Sequence, residues 1–346
     1  MFLKKYINPL IYLIKMPNHD FTDYKSIKPI KKYAFVFVCQ EGNLEIQSLL
    51  LAASLKRFLK CNYELIAAVP LPAEKMGKPK DITINLLKKM GVKIVNIFNE
   101  LVDKAPKVTR SILVTNKIYC LKIPTSAEKL IFVDSDMLCY DDFFGDICFS
   151  IPFNARLVGG VNSTVHPNGK WGQIYDAADT KMSNLRIKKT RQKYYDPEFS
   201  FTPPYFNSGF IAINKNLAAK LSNLWLECYK KIRSKNLIED LFYTEQISLS
   251  VALHKMDIPY SILNIDYPDL SFCHYHFLEQ LRNNNKMRKL ARSLIKDYPK
   301  IKEIIKYNPD PNWKFLISRI RTIWIFFRRI LKFTIRNIIP FTNFLI

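Results

Sequence analysis

Between residues 33 and 133, four short apolar runs alternate with segments of helical period, and that order constrains the fold more than any other feature of the chain. Tyr33 to Cys39 is apolar throughout, the mark of a strand buried on both faces. Residues 44–60 carry Leu44, Leu51, Leu55, Phe58 and Leu59 on a helical period, with the cations Lys56, Arg57 and Lys60 where a helix C-terminus favours them. Tyr63 to Val69 reads as a second strand stopped by Pro70 and Pro72, and Lys80 to Met90 as a helix closed by Gly91. Val92 to Phe98 is the third strand, Thr115 to Leu121 a helix, and Leu130 to Val133 the fourth strand. This β-α-β-α-β-α-β order predicts an α/β fold with a mostly parallel sheet and helices on both faces. Strands from Ala155 to Val161, after Asn207-Ser208-Gly209, and from Ile258 to Ile265 extend the pattern, with helices over Leu217 to Ile232 and Thr244 to Met256. Residues 162–204 are polar and aromatic without a period, which is expected of a lid or binding loop.

Composition places the boundaries. Residues 1–31 are a basic and apolar segment with a linker, 32–280 the α/β domain, and 281–346 a basic helical extension. In 313–346 there are seven Lys/Arg and no acid; Trp313, Leu316, Ile320, Trp324, Phe327, Leu331 and Ile335 recur at helical spacing opposite Lys314, Arg321, Arg328, Lys332 and Arg336. That pattern predicts a helix lying on an anionic membrane surface; a terminal helix docked on the domain is the competing reading. The formal charge of +23 demands an acidic partner. Nucleic acid is not expected, since the basicity is terminal and no helix-turn-helix, zinc or aromatic RNA-binding motif occurs. Seven scattered cysteines without a CxxC read as free thiols of a reducing compartment. No stretch reaches the roughly 18 uncharged apolar residues of a membrane span. The expected location is cytoplasmic, peripheral on the inner face of a membrane.

The fourth strand runs into Asp134-Ser135-Asp136. Two carboxylates one residue apart project to the same side of an extended chain, and like charges that close raise each other's pKa. A divalent cation removes that cost, and oxygen ligands suit Mg²⁺ or Mn²⁺. In open α/β sheets, ligands bind outside the carboxyl ends of strands. Without a ligand the tripeptide is an ordinary solvated turn. His274-Tyr275-His276 places two imidazoles on one side of an apolar run, as metal ligands or as satisfied core residues. Asn207-Ser208-Gly209 reads as a turn offering an amide, a hydroxyl and open backbone to sugar hydroxyls. Glu245-Gln246 opens a helix, where the carboxylate can also be a simple cap. Lys117 either reaches a diphosphate or sits on the surface.

Together these pieces resemble the metal-dependent glycosyltransferases of the GT-A fold, nearest to family 8, the family of glycogenin and the bacterial lipopolysaccharide galactosyl- and glucosyltransferases. The resemblance covers residues 32–280 and follows the family's order: Tyr33 to Cys39, Asn116-Lys117, Leu130 to Asp136, Tyr205 to Gly209, Thr244 to Gln246, and His274-Tyr275. It implies a single Rossmann-like nucleotide-sugar-binding domain and a Mn²⁺ or Mg²⁺ ion. The implied reaction moves a hexose from a nucleotide-sugar, UDP-linked, to a glycan or glycolipid acceptor with retention of configuration. Val38, Cys39, Gln40, Asp134 and Ser135 are then expected at the nucleotide, and Lys117, Ser208 and Gly209 elsewhere on the donor. The metal would rest on Asp134, Asp136 and His274 or His276, with Gln246, Glu245 and Asn207 at the reacting sugar. Two positions depart from the family. Phe277-Leu278-Glu279-Gln280 stands where a glycine and a Lys-Pro-Trp are usual, removing the donor-phosphate lysine, and Glu245 replaces an aspartate. A sugar nucleotidyltransferase would need a glycine-rich loop after the first strand, whereas Gln40-Glu41-Gly42-Asn43 has one glycine and an acid. A catalytically silent membrane-surface protein on a transferase fold is the remaining alternative.

Overall fold

The computed structural model describes residues 32–142, 150–158, 170–182, 187–188, 201–263 and 272–318. The segment 1–31, Gly159-Gly160, most of 162–204 and the tail from 319 onward lie outside the described residues. The strands are β1 (Tyr33–Val38), β2 (Tyr63–Leu71), β3 (Val92–Phe98), β4 (Lys129–Val133), β5 (Met137–Cys139), β6 (Phe153–Leu157), β7 (Ile187–Lys188), β8 (Phe201–Thr202), β9 (Phe206–Asn214), β10 (Tyr260–Ile262) and β11 (Phe272–His274). The helices are α1 (Asn43–Phe58), α2 (Ala73–Met76), α3 (Asp81–Lys89), α4 (Glu100–Lys104), α5 (Arg110–Leu113), α6 (Asn116–Cys120), α7 (Trp171–Ala177), α8 (Lys215–Ser234), α9 (Thr244–Met256), α10 (Leu278–Asn283), α11 (Asn285–Asp297) and α12 (Lys300–Lys306).

Seven strands form one sheet in the order β10-β6-β9-β4-β1-β2-β3. The expected parallel half is present: β1 pairs in parallel with β2 and β4, and β2 with β3. β9 runs antiparallel between β4 and β6. Strand alternation distributes β1 between two cores. Phe35, Phe37 and Cys39 pack with α1, α11 and α12, whereas Ala34, Val36 and Val38 pack with α6, α8 and α9. β1 is thus apolar throughout because both of its faces are covered.

Four expectations change. β2 does not stop at Pro70 but continues to Leu71 against β3. Ala68 C=O faces β1, accepting from Cys39 N–H, so residue 70 faces the same side. There β1 has already ended, and proline's missing donor breaks no ladder bond. β6 starts at Phe153, two residues earlier than read, because Phe153 and Asn154 already pair with Ile213 and Ala212. Asn207-Ser208-Gly209 is not a turn before a strand but lies inside β9, which is held by neighbours on both sides. Within the stretch read as aperiodic, α7 packs Trp171 and Tyr175 into the core.

The C-terminal region also differs in part. α10 to α12 and a 3-10 turn over Pro311–Leu316 pack Leu281, Leu294, Ile305, Trp313, Phe315 and Leu316 into the same core as β1 and α1. Trp313 Nε1 donates to Asn43 Oδ1 at 2.9 Å. Residues up to 316 therefore belong to the domain's packing, and the rest of the expected surface helix lies outside the described residues. No described helix is long and apolar enough to cross a membrane. Of the cysteines, 39, 120, 139, 228 and 273 are buried free thiols, and Cys61 is half-buried.

Candidate active site

Three pairings bring the sequence-predicted residues to the carboxyl edge of β1 and β4. The β4–β9 ladder ends with Asp134 N–H donating to Gly209 C=O at 2.7 Å, which lays Asn207 to Gly209 beside the first aspartate. The β5–β11 ladder ends with Tyr275 N–H donating to Asp136 C=O at 3.0 Å, which brings both histidines to the second. α9 starts over β9, tied by Phe206 N–H to Ser250 Oγ at 3.0 Å, so Glu245 and Gln246 point at the same edge. Lys117 arrives on α6, whose first turn is fixed by Asn99 Nδ2 donating to Thr115 Oγ1 and Asn116 Oδ1 at 3.0 and 2.8 Å.

Two linked groups result. The first is a charge chain: Lys117 Nζ donates to Asp134 Oδ2 at 3.0 Å and to Ser208 Oγ at 3.2 Å, and Ser208 Oγ donates to Glu245 Oε2 at 3.0 Å. Lys117 is not a surface lysine. Burial acts to lower its pKa, but Asp134, Glu245 and Asp136 outweigh it and hold the value above normal. Glu245 is pushed up to about 7, mainly by burial, against the opposing pull of Lys117. Its Oε1 is buried with no hydrogen-bond partner among the described residues, a position that a ligand hydroxyl would satisfy. Gln246 takes no part in this chain; its Nε2 donates to Tyr205 OH at 3.0 Å and its Oε1 accepts from Ser208 N–H at 3.4 Å. Asn207 Oδ1 accepts from Gly209 N–H at 2.8 Å.

The second group is Asp136 with the histidine pair. His274 Nε2 lies 3.0 Å from Asp136 Oδ1 and 3.8 Å from Asp134 Oδ2. One ligand atom each from Asp136, His274 and His276 lie within 4.8 Å of one another, close enough to hold a metal ion together. Imidazole ligation fits Mn²⁺ better than Mg²⁺, which prefers all-oxygen coordination. Burial works to raise the Asp136 pKa, but His274, His276 and Lys117 prevail and bring it to about 2. Gly209 is required by the crowding between the two groups. A Cβ there would fall 2.8 Å from Asp134 Oδ2 and 2.9 Å from His274 Cε1, closer than real Cβ atoms come.

The expected nucleotide contacts separate. Ser135 Oγ donates to Val38 C=O, fixing the end of β1 against the acidic turn. Gln40 Nε2 donates to Met76 C=O at 2.6 Å. Cys39 instead turns into the core beneath α1, where Ser48 Oγ donates to its sulfur and burial pushes the thiol up to about 12. One site residue escaped the sequence reading. Arg156, buried on β6 at a shift of register, brings Nη2 within 3.0 Å of His274 Nδ1. The local sequence Phe-Asn-Ala-Arg-Leu, with a second polar residue in the same strand, carries no clear signal for it.

Glu245 gives a pH test. Because its folded value exceeds the ordinary 4.5, the stability it contributes is complete below about 4.5 and is lost as pH rises through about 7. Between pH 5 and 8, the wild type should lose about 2.5 kcal/mol relative to Glu245→Gln in denaturant titrations. Parallel stability curves for the two proteins would refute the raised value.

An α/β domain of this topology, with acids, an amide and imidazoles gathered at the carboxyl edge of a mostly parallel sheet, has the GT-A fold of the nucleotide-sugar-dependent transferases. A family model described as a Rhodobacterales glycosyltransferase domain matches residues 35–257, and the chain belongs to that family; it is a glycosyltransferase, an enzyme of the EC 2.4 type. Among solved structures it is similar to the galactosyltransferase LgtC in complex with donor and acceptor sugar analogues. The identity is 12%, the match covers 75% of this chain and 95% of that one, and the TM-score is 0.51. An active-site mutant of LgtC matches at 10% identity over 76% of this chain and 95% of the other, with a TM-score of 0.50. No curated protein sequence matches the chain.

Proposed function

We propose that this glycosyltransferase moves a hexose from a UDP-sugar to a glycan or glycolipid acceptor, with retention of configuration, at an anionic membrane surface on its cytoplasmic side. The observation that carries the reading is the juxtaposition of the Asp136–His274–His276 cluster with the Lys117–Asp134–Ser208–Glu245 chain at one sheet edge. A Mn²⁺ or Mg²⁺ ion held by Asp136 and imidazole would supply Lewis-acid neutralisation of the diphosphate leaving group. Asp134, paired with Lys117, stands beside this cluster as a further oxygen ligand within reach. Lys117 places a fixed positive charge where the donor's phosphates would come. Glu245 Oε1 and the Asn207 amide orient sugar hydroxyls, and Gln246, anchored by Tyr205, lies near the anomeric carbon. Ser135, bonded to Val38 C=O, and Gln40 shape the nucleotide end, and Gly209 leaves the room in which Asp134 and His274 meet.

A panel of nucleotide-sugars with Mn²⁺ or Mg²⁺ tests the reading. Metal-dependent hydrolysis of a UDP-sugar is expected even without acceptor, and neither binding nor hydrolysis across the panel would overturn it.

The membrane part rests on charge. Residues 319–346 contain six Lys/Arg and no acid. On the domain itself, Lys286, Lys289, Lys296, Lys300, Lys302 and Lys306 are exposed along α11 and α12. Deletion should begin at 319, because Trp313, Phe315 and Leu316 are core residues. The shortened protein is expected to leave phosphatidylserine vesicles at least tenfold more readily while its fold and donor hydrolysis persist. Unchanged vesicle affinity would remove the tail from the membrane assignment.

A further inference from the structure

We propose that Arg156 is a positioning residue that withholds His274 from metal ligation and leaves His276 as the imidazole ligand beside Asp136. This rests on the metal-dependent reading of the site given above. A guanidinium has only donors and stays charged, so at 3.0 Å from Arg156 Nη2 the Nδ1 atom of His274 must accept. A neutral imidazole has one acceptor and one donor, so the ring proton is on Nε2. That atom lies 3.0 Å from Asp136 Oδ1, to which it donates. Both contacts agree on one tautomer, and in that tautomer Nε2 has no lone pair to give.

Metal-ligating histidines have the opposite polarity: the far nitrogen donates to a carboxylate or carbonyl, which fixes the tautomer and leaves the near lone pair for the metal. Here the far nitrogen faces a cation. His274 could turn Nε2 onto a metal only if Arg156 left Nδ1 and the ring proton crossed to it. The surroundings hold the present arrangement. Arg156 is buried, at 8% exposure, on a strand paired on both sides, whose register with β9 shifts between Ala155 and Leu157, a device that re-aims a side chain. The His274 ring lies against Gly209, where even a Cβ would not fit. His276 lies against the His274 ring with centroids 3.6 Å apart and planes tilted by 35°, yet is exposed and leaves the strand at a backbone φ of 39°. His274 on this reading braces Asp136 and His276, and its hydrogen bond holds the carboxylate in place for the ion.

Two measurements on the full chain decide the point. The chain has five histidines, so ¹⁵N-labelled protein with a His274→Gln control gives an assignable long-range ¹H–¹⁵N spectrum. In the metal-free protein, His274 is expected to show a protonated Nε2 and an unprotonated Nδ1; a protonated Nδ1 overturns the proposal. The second is titration with Mn²⁺ alone, read by calorimetry or by loss of the free-ion electron paramagnetic signal. His276→Ala should weaken binding about tenfold or more, and His274→Ala no more than about threefold. Arg156→Gln presents an amide oxygen that can accept from Nδ1–H, so it should recruit His274 and tighten Mn²⁺ binding about tenfold. Arg156→Met removes the charge without offering an acceptor and should tighten it less. Loss of binding in His274→Ala, or equal effects of the Gln and Met variants, would also overturn the assignment. A nucleotide-sugar panel without turnover, alongside the expected tautomer, would count against the proposed reaction and leave the role of Arg156 standing.

Discussion

Lys117→Met is expected to cost about 3 kcal/mol of folding stability near pH 7.5, the range for removing one partner of a buried ion pair. Methionine matches the length of the lysine stem and keeps its packing, so the loss isolates the charge. Lys117 Nζ contacts Asp134 Oδ2 and Ser208 Oγ, and its charge opposes the upward shift of Glu245. Without it, Asp134 and Glu245 confront each other through Ser208 with no cation between them. Glu245 should then move above its present value of about 7, because the remaining large influences, burial and Asp134, both raise it. The destabilisation should shrink at pH 5, where Glu245 is protonated and its repulsion with Asp134 is gone. Denaturant titrations of wild type, Lys117→Met and Lys117→Arg at pH 5 and 7.5 provide the check. A loss below about 1 kcal/mol at pH 7.5 would mean that the pair behaves as a solvated surface contact.

The same charge chain shows where sequence reading succeeds and where it stops. The strands of the parallel half were visible because burial on both faces leaves continuous apolar runs such as Phe35 to Val38. The acidic turn was visible because Asp134 and Asp136 follow such a run directly. The partners of these acids were less visible, since hydrogen-bond chains join residues far apart in sequence. Lys117 and Ser208 are separated by 91 positions and Arg156 and His274 by 118. Nothing near Arg156 in the sequence distinguishes it from a strand-end cation; its role comes from β6 and β11 meeting at one edge. Turn chemistry misled at Asn207-Ser208-Gly209, where residues typical of turns lie inside a paired strand. The glycine is needed there for the approach of Asp134 and His274, not for a bend. The C-terminal pattern misled in part for a related reason. Trp313 and Leu316 at helical spacing are equally consistent with a membrane or a protein core, and α10 to α12 supply the core.

Asp136→Asn is expected to reduce metal-dependent donor hydrolysis on the order of 10³-fold while leaving the fold intact, the size of effect associated with removing a group that stabilises developing charge. Asparagine preserves shape, and its Oδ1 can still accept from His274 Nε2, which lies 3.0 Å from the carboxylate now. What it removes is the negative charge that His274, His276 and Lys117 hold ionised down to about pH 2 despite burial. Three positive or potentially positive groups would then face one another with less opposing charge, so Mn²⁺ affinity and the balance of the site fall together. Asp134 does not replace it, because the ligand atoms that lie together are those of Asp136, His274 and His276, and Asp134 can add a ligand beside them but cannot take the place of Asp136. The stability linked to the low Asp136 pKa is present above about pH 4 and is lost as pH falls towards 2, so the variant should lose that acid limb of the stability curve. Hydrolysis of the UDP-sugar selected by the panel, measured over a Mn²⁺ series, separates the two effects. Activity restored to wild-type level at high Mn²⁺ would make Asp136 a residue that only raises metal affinity. A deficit that persists at saturation assigns it to stabilising the departing nucleotide. Wild-type activity throughout would dismiss the Asp136–histidine cluster as the metal centre and return the acidic pair to an ordinary solvated turn.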